Sequence, residues 1–369
     1  MKFCYVCEKE ITQENQSVEH IIPNAIGGKL KSKALLCKKC NSELGDSIDS
    51  ELSKQLNHIC NMLNIKRERG MPQAITGINT KTGEQVMLEP GGKPSRVKPI
   101  INEEVSGKGK HIHVTARNKK EAKSILKGLR RKYPQINVDE IIKNTEVKRE
   151  YIEDRVQLNI TIGGQECFRS ICKTAVNFYM FTGGKQEYIQ DLIPYIKGDT
   201  DTNRVYFFYN DEEVISKGFE QIVHGLVLRG DTQEKVLYMY IEYFNAFKFL
   251  ILINDSYDGD EVNEAYVFDV LNQTEIKPII SLNIKKQQII KTVTEKSYPG
   301  KMLSRELNQI MTIIMNKQRK EVLDAIILRA FDNSLMKYPD GVIITEEMAD
   351  ETVSALMKEL TPWIIHNLK

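Results

Sequence analysis

Apolar residues change their spacing several times along the chain, and each change predicts an element. Short runs at 18–22 and 34–36 read as two strands, joined by a loop over 23–33 that carries Gly27-Gly28. From Leu44 the spacing lengthens. Leu44, Ile48 and Leu52 lie on one face of a helix, and Leu56, Ile59, Cys60 and Leu63 continue it until Gly70 and Pro72. Turn formers between 71 and 106 separate short alternating runs, which predict hairpins or an irregular connector. A strand follows at 111–115. Asn118 then forms a capping box with Glu121, opening a helix whose apolar face is Ala122, Ile125, Leu126, Leu129 and Tyr133. An alternating strand at 156–162 leads to Gly163-Gly164 and a helix with Phe168, Ile171, Cys172, Ala175, Phe178 and Tyr179 inward. Aromatic and β-branched residues dominate 205–280, where runs at 206–208, 236–244, 247–253 and 265–270 predict one antiparallel sheet. Helical periods return at 302–331 and 345–368.

These elements make the class α+β. A chain of 369 residues divides into two or three domains at roughly 100–200 residues each. The expected division is 1–70, an α+β middle region over 71–200, and a sheet with C-terminal helices over 201–369. The longest apolar run, 247–253, falls far short of the ~20 residues of a membrane span, so no membrane partner is expected. The first residues lack the apolar stretch of a secretory leader, and seven cysteines, an odd number, do not suit a secreted disulfide framework. A cytoplasmic protein is expected.

Net charge is only +2, so local clusters say more than the total. Residues 29–40 hold Lys29, Lys31, Lys33, Lys38 and Lys39 with no acid among them. The polar face of the helix opened by Asn118 concentrates Lys123, Lys127, Arg130 and Arg131. Such patches can neutralise phosphates even in a nearly neutral protein; for the second, an ordinary solvated face is the alternative.

Candidate chemistry gathers at the N-terminus. Cys4-x-x-Cys7 and Cys37-x-x-Cys40 are two clips of soft thiolates, which suit one tetrahedral Zn²⁺ of structural type. Between and beside them stand Glu19-His20 and Asn41. His20 has the pKa of a general base near neutrality. Glu19 and Asn41 offer oxygen to a hard cation such as Mg²⁺ or Mn²⁺, which stabilises a phosphate under attack. Neighbours in a regular strand point to opposite faces, so Glu19 and His20 can serve one phosphate only where the backbone is irregular. Asn41 could also cap a helix starting at Ser42. Asp46 and Asp49 read as partners of a helix N-terminus rather than ligands.

The series Cys-x-x-Cys, Glu-His-Ile-Ile-Pro, Gly-Gly, Leu-Cys-x-x-Cys-Asn-x-x-Leu-Gly-x-x-Ile-Asp over residues 3–52 resembles the HNH endonucleases with a four-cysteine zinc and a ββα-metal fold. The resemblance implies that His20 is the general base, Glu19 and Asn41 bind the catalytic metal, and Cys4, Cys7, Cys37 and Cys40 bind zinc. It implies a nucleic-acid substrate, most simply DNA, with a homodimer cutting both strands. Proteins that join such a module to a larger partner resemble restriction or anti-phage defence effectors. The family's loop Asn is missing: Ser32 falls near its place, Asn24 is the loop's one Asn, and water or a backbone carbonyl is expected to orient His20. The competing expectation is a non-catalytic, zinc-stapled module that binds nucleic acid or another protein.

Overall fold

The apolar run at 18–22 yields a strand only two residues long, β1 (Glu19–His20), in a computed structural model that describes residues 2–106, 109–146, 151–152, 154–295, 300–336, 338–339 and 341–368. It pairs antiparallel with β2 (Lys31–Ser32), placing Glu19 opposite Ser32 and His20 opposite Lys31. The second strand is therefore not the expected run at 34–36. The loop closes earlier because Gly27 takes φ +96° and Gly28 lies so near the Ile22 carbonyl that a Cβ would stand 1.9 Å from its oxygen. Leu35 and Leu36 are left as buried plugs ahead of the next helix.

That helix, α1 (Lys38–Leu44), begins directly after Cys37, earlier than the period predicted. Asn41 therefore lies inside the helix and does not cap it; its backbone N–H donates to the Cys37 carbonyl. A π-helical turn, Gly45–Asp49, leads into α2 (Ser50–Leu63). α2 stops well before Gly70, because Asn64 adopts a left-handed φ of 52°, a conformation Asn tolerates at a helix end.

The next elements are β3 (Ile75–Asn79), β4 (Gln85–Glu89), β5 (Lys93–Arg96), β6 (Ile100–Ser106), β7 (Gly109–Thr115), α3 (Lys119–Lys132), α4 (Val138–Lys143) and β8 (Val156–Gln157). They give a sheet in the order β5-β4-β3-β8 and a separate β6-β7 hairpin, as the turn formers suggested. The expected strand at 156–162 shrinks to the two residues that find a partner in β3. The capping box holds: Asn118 Oδ1 accepts from the Glu121 amide, while Glu121 Oε2 accepts from the Arg117 amide, one residue earlier than the motif requires.

Then come α5 (Gln165–Phe181), α6 (Ile193–Lys197), β9 (Val205–Phe207), β10 (Val223–Asp231), β11 (Val236–Tyr243), β12 (Phe247–Asn254), β13 (Val262–Asp269), β14 (Thr274–Ile276), α7 (Lys286–Glu295), α8 (Gly300–Leu335) and α9 (Glu346–Leu368). Among the described residues, six antiparallel strands order as β14-β13-β10-β11-β12-β9. β10 was not expected. Its Gly225, Gly230 and His224 interrupt the apolar pattern, and Gly230-Asp231 reads as a turn although both residues pair in the sheet. The chain groups into two packing units, Met1–Gln73 with Ile160–Ile314, and Ala74–Asn159 with Met315–Lys369. These units are discontinuous in sequence, whereas the division into 1–70, 71–200 and 201–369 is consecutive. α5 thus belongs with the N-terminal segment, packing against α2 and the Gly45–Asp49 turn as well as against β9 to β12. Among the described residues no helix is long and apolar enough to cross a membrane.

Candidate functional site

The two cysteine clips converge. The Sγ atoms of Cys4, Cys7, Cys37 and Cys40 all lie within 4.8 Å of one another, and those of Cys7 and Cys37 are 3.7 Å apart. Four sulfurs about 2.3 Å from a tetrahedral zinc stand about 3.8 Å apart along each edge, so the cluster fits a structural zinc. Cys37 ends the approach to α1 and Cys40 sits in its first turn, which hands the geometry of the zinc site directly to Asn41.

Glu19, His20, Asn41 and Asp49 line one cleft of about 400 Å³. Glu19 is buried, and its Oε1 accepts from Lys173 Nζ at 2.5 Å and from Asn177 Nδ2 at 2.7 Å. Lys173 also donates to Asp49 Oδ2 at 2.6 Å, and Ser170 Oγ donates to Asp49 Oδ1 at 2.6 Å. Asp49 is therefore not simply a partner of a helix N-terminus; it anchors a buried lysine. Burial works against the Lys173 charge, but Asp49 and Glu19 hold the ammonium above the ordinary lysine range. Asn41 Nδ2 donates to Ser17 Oγ and to the Val18 carbonyl. Among the described residues no hydrogen bond reaches Glu19 Oε2 or Asn41 Oδ1, so each candidate metal ligand keeps one oxygen open. That donor set fits a hard, oxygen-seeking cation.

His20 is partly exposed at the same cleft. Glu68 Oε2 lies 3.3 Å from its Nε2. Glu68 is itself steered: Lys31 Nζ donates to it at 2.8 Å, and its backbone N–H donates to Asn24 Oδ1. The charged group beside the ring is thus a carboxylate, at ion-pair distance, while Nε2 makes no hydrogen bond among the described residues. Ser32 is spent on the Ala34 amide. Burial lowers the His20 pKa below the ordinary histidine range; Glu68 opposes this, and Lys31 and Lys29 reinforce it.

Glu68, Lys173, Asn177 and Asp49 were not singled out as site residues from the sequence. Ser170, Lys173 and Asn177 recur at i, i+3 and i+7 on α5, a polar stripe that spacing alone does not separate from a solvated face. Of the basic residues, Lys31, Lys33, Lys38 and Lys39 are exposed and Lys29 is half-buried. Lys31 is shared with Glu68, and Lys39 lies 3.7 Å from Glu43. Lys123, Lys127, Arg130 and Arg131 are exposed on α3, in the other packing unit, with Lys123 paired to Asp139 at 2.8 Å. His111 and His113 are exposed on one face of β7, and among the described residues only the four cysteines cluster as metal ligands.

No curated protein and no solved structure matches the chain. Residues 4–57, which contain both clips, Glu19, His20 and Asn41, match the model of the HNH endonuclease family.

Proposed function

We propose that the protein is a metal-dependent endonuclease that hydrolyses phosphodiester bonds in DNA, and that the residues outside the module provide target selection, dimerisation or regulation. The observation that carries this reading is that His20, Glu19 and Asn41 line one cleft, with Asn41 following directly on Cys40 of the four-cysteine cluster. With Nε2 turned to Glu68, Nδ1 of His20 is the nitrogen that takes a proton from the attacking water. Glu19 Oε2 and Asn41 Oδ1 would hold a divalent cation, Mg²⁺ or Mn²⁺, which when bound supplies charge for the phosphate and the departing oxygen. Lys29, Lys31, Lys33, Lys38 and Lys39 neutralise neighbouring phosphates, and the basic face of α3 adds a second contact. A role in restriction or anti-phage defence is the biological setting that suits such an enzyme.

The test is plasmid nicking by full-length protein with Mg²⁺ or Mn²⁺. Wild type should nick, and His20→Ala should lose at least a hundredfold in rate, the contribution of a positioned base, while binding DNA as before. Equal activity in both would overturn the role of His20. A second reading, nucleic-acid binding without cleavage, is favoured by one observation: the Glu19 carboxylate is already paired with Lys173. Steeply salt-dependent DNA binding with no cleavage in any divalent metal would establish it.

A further inference from the structure

Resting on the nuclease reading, we propose that Lys173 and Asn177 of α5 are positioning residues for Glu19: they fix one carboxylate oxygen so that the other faces the cation position. Both donate to the same oxygen, Oε1, from positions 154 and 158 residues downstream. Among the described residues Oε2 receives no hydrogen bond, and Glu19 lines the cleft.

The donors are themselves held. The Tyr5 hydroxyl donates to Asn177 Oδ1 at 2.7 Å, so the amide must present Nδ2 to Glu19. Tyr5 lies between Cys4 and Cys7, and the zinc clip therefore fixes the orientation of Asn177. Lys173 is fixed by its second carboxylate, Asp49, whose other oxygen is taken by Ser170. Ser170, Lys173 and Asn177 occupy one face of α5 and are buried, as are Tyr5 and Glu19.

The charge arithmetic suits this role. One ammonium between two carboxylates leaves a single negative charge, enough to draw a divalent cation and too little to force the carboxylates apart. An unrestrained glutamate would have to give up the freedom of its side-chain torsions on each binding event, and the two donors remove that cost beforehand. Asn41 follows the same plan, its Nδ2 tied and its Oδ1 open. The segment that matches the family is thus incomplete by itself, since α5 lies outside it.

The experiment uses full-length, zinc-loaded protein and Mn²⁺ as the probe. It compares wild type with Lys173→Met, Asn177→Leu and Tyr5→Phe, checking folding by zinc content and thermal melting. Mn²⁺ affinity is read by electron paramagnetic resonance without DNA, and nicking is titrated with Mn²⁺. The expected result is at least tenfold weaker Mn²⁺ binding in Asn177→Leu, with a matching rise in half-saturating Mn²⁺ and unchanged metal-free DNA affinity. Lys173→Met, where it folds, should show the larger loss and Tyr5→Phe the smaller. Unchanged Mn²⁺ affinity in Asn177→Leu would overturn the proposal. Tighter binding in Lys173→Met would also overturn it, because the ammonium would then be occupying the cation's place. A wild type that neither binds Mn²⁺ nor nicks DNA marks the failure of the nuclease reading instead, and takes this inference with it.

Discussion

The two packing units treat charge in opposite ways. In the unit built from Met1–Gln73 and Ile160–Ile314, Glu19, Lys173, His224, Glu242, Lys248 and Asp269 are all buried. Each has a dedicated partner: Lys217 and Tyr240 for Glu242, Glu306 for Lys248, the Ile26 carbonyl for His224, and the Leu271 and Asn272 amides for Asp269. In the unit of Ala74–Asn159 and Met315–Lys369 the charges lie outside, and large apolar side chains join them there, Val105 at 80 % exposure and Ile343 at 86 %. Charge hidden in the first unit holds the structure together, so removing one member strands another. Charge on the second sits at or near the surface, much of it in solvent-exposed pairs such as Lys123–Asp139 and Arg117–Glu121, and its removal costs the fold little.

Zinc has the largest effect. A structural zinc contributes on the order of 10 kcal/mol of folding free energy. Here its loss would also release Tyr5 and Glu19, and so leave Lys173 and Asn177 unpaired on α5. Cys37→Ser/Cys40→Ser should therefore abolish zinc binding and disorder the N-terminal segment, and should expose amides of α5 to hydrogen exchange as well. Protection of α5 equal to wild type would show that the segment and the helix are stable independently.

Lys173→Met comes next. Removing one partner of a buried ion pair costs about 3–5 kcal/mol, because the stranded charge stays desolvated. The midpoint of urea unfolding should fall accordingly, with unchanged slope. Adding Glu19→Gln should recover part of the loss, since one of the two facing carboxylates is then neutral. A double variant no more stable than the single would place the cost in packing instead of charge.

The buried His224 gives a pH signature. Its Nε2 donates to the Ile26 carbonyl, Nδ1 has no partner among the described residues, and burial pushes its pKa down to about 4. The unfolded chain takes up that proton near 6.5, so stability is intact above that value and declines as pH falls from 6.5 towards 4. The loss over the window is about 3 kcal/mol. Wild type should lose stability across this range, and His224→Leu, though weaker at neutral pH, should show a flatter profile. Parallel profiles would assign the acid sensitivity to other groups.

What the sequence reveals follows a division between local and distant partners. Both cysteine clips span four residues each, so their spacing alone predicts a cluster of thiols. The Asn118 cap was legible for the same reason, being a bond between neighbours. Lys173 and Asn177 were not, because nothing local distinguishes a buried polar stripe on α5 from a solvated one. Glu68 was hidden by reading helix as far as Gly70, when Asn64 ends it and frees the carboxylate to approach His20. β10 was obscured by glycines that mark turns elsewhere and here sit inside a sheet. Each miss concerns a partner far away in sequence or a residue type whose meaning depends on the surroundings.

The smallest structural effect belongs to α3, where the comparison between the units is sharpest. Lys123, Lys127, Arg130 and Arg131 are exposed, and Lys123 pairs with Asp139 at the surface. Exposed pairs are worth little, and the helix keeps its Asn118 cap and its buried Leu126 whatever their sign. Converting all four to Glu should therefore leave zinc content and melting temperature close to wild type. If α3 contacts DNA, affinity should fall, and the slope of log affinity against log salt should shrink by up to about 3–4, at roughly 0.9 per lost phosphate contact. The rate of nicking at saturating DNA should hold, because His20, Glu19 and Asn41 are untouched. An unchanged salt slope would remove α3 from the interface and leave Lys29, Lys31, Lys33, Lys38 and Lys39 as the phosphate contacts. A large drop in melting temperature would show instead that surface charge in this unit supports the fold no less than buried charge does in the other.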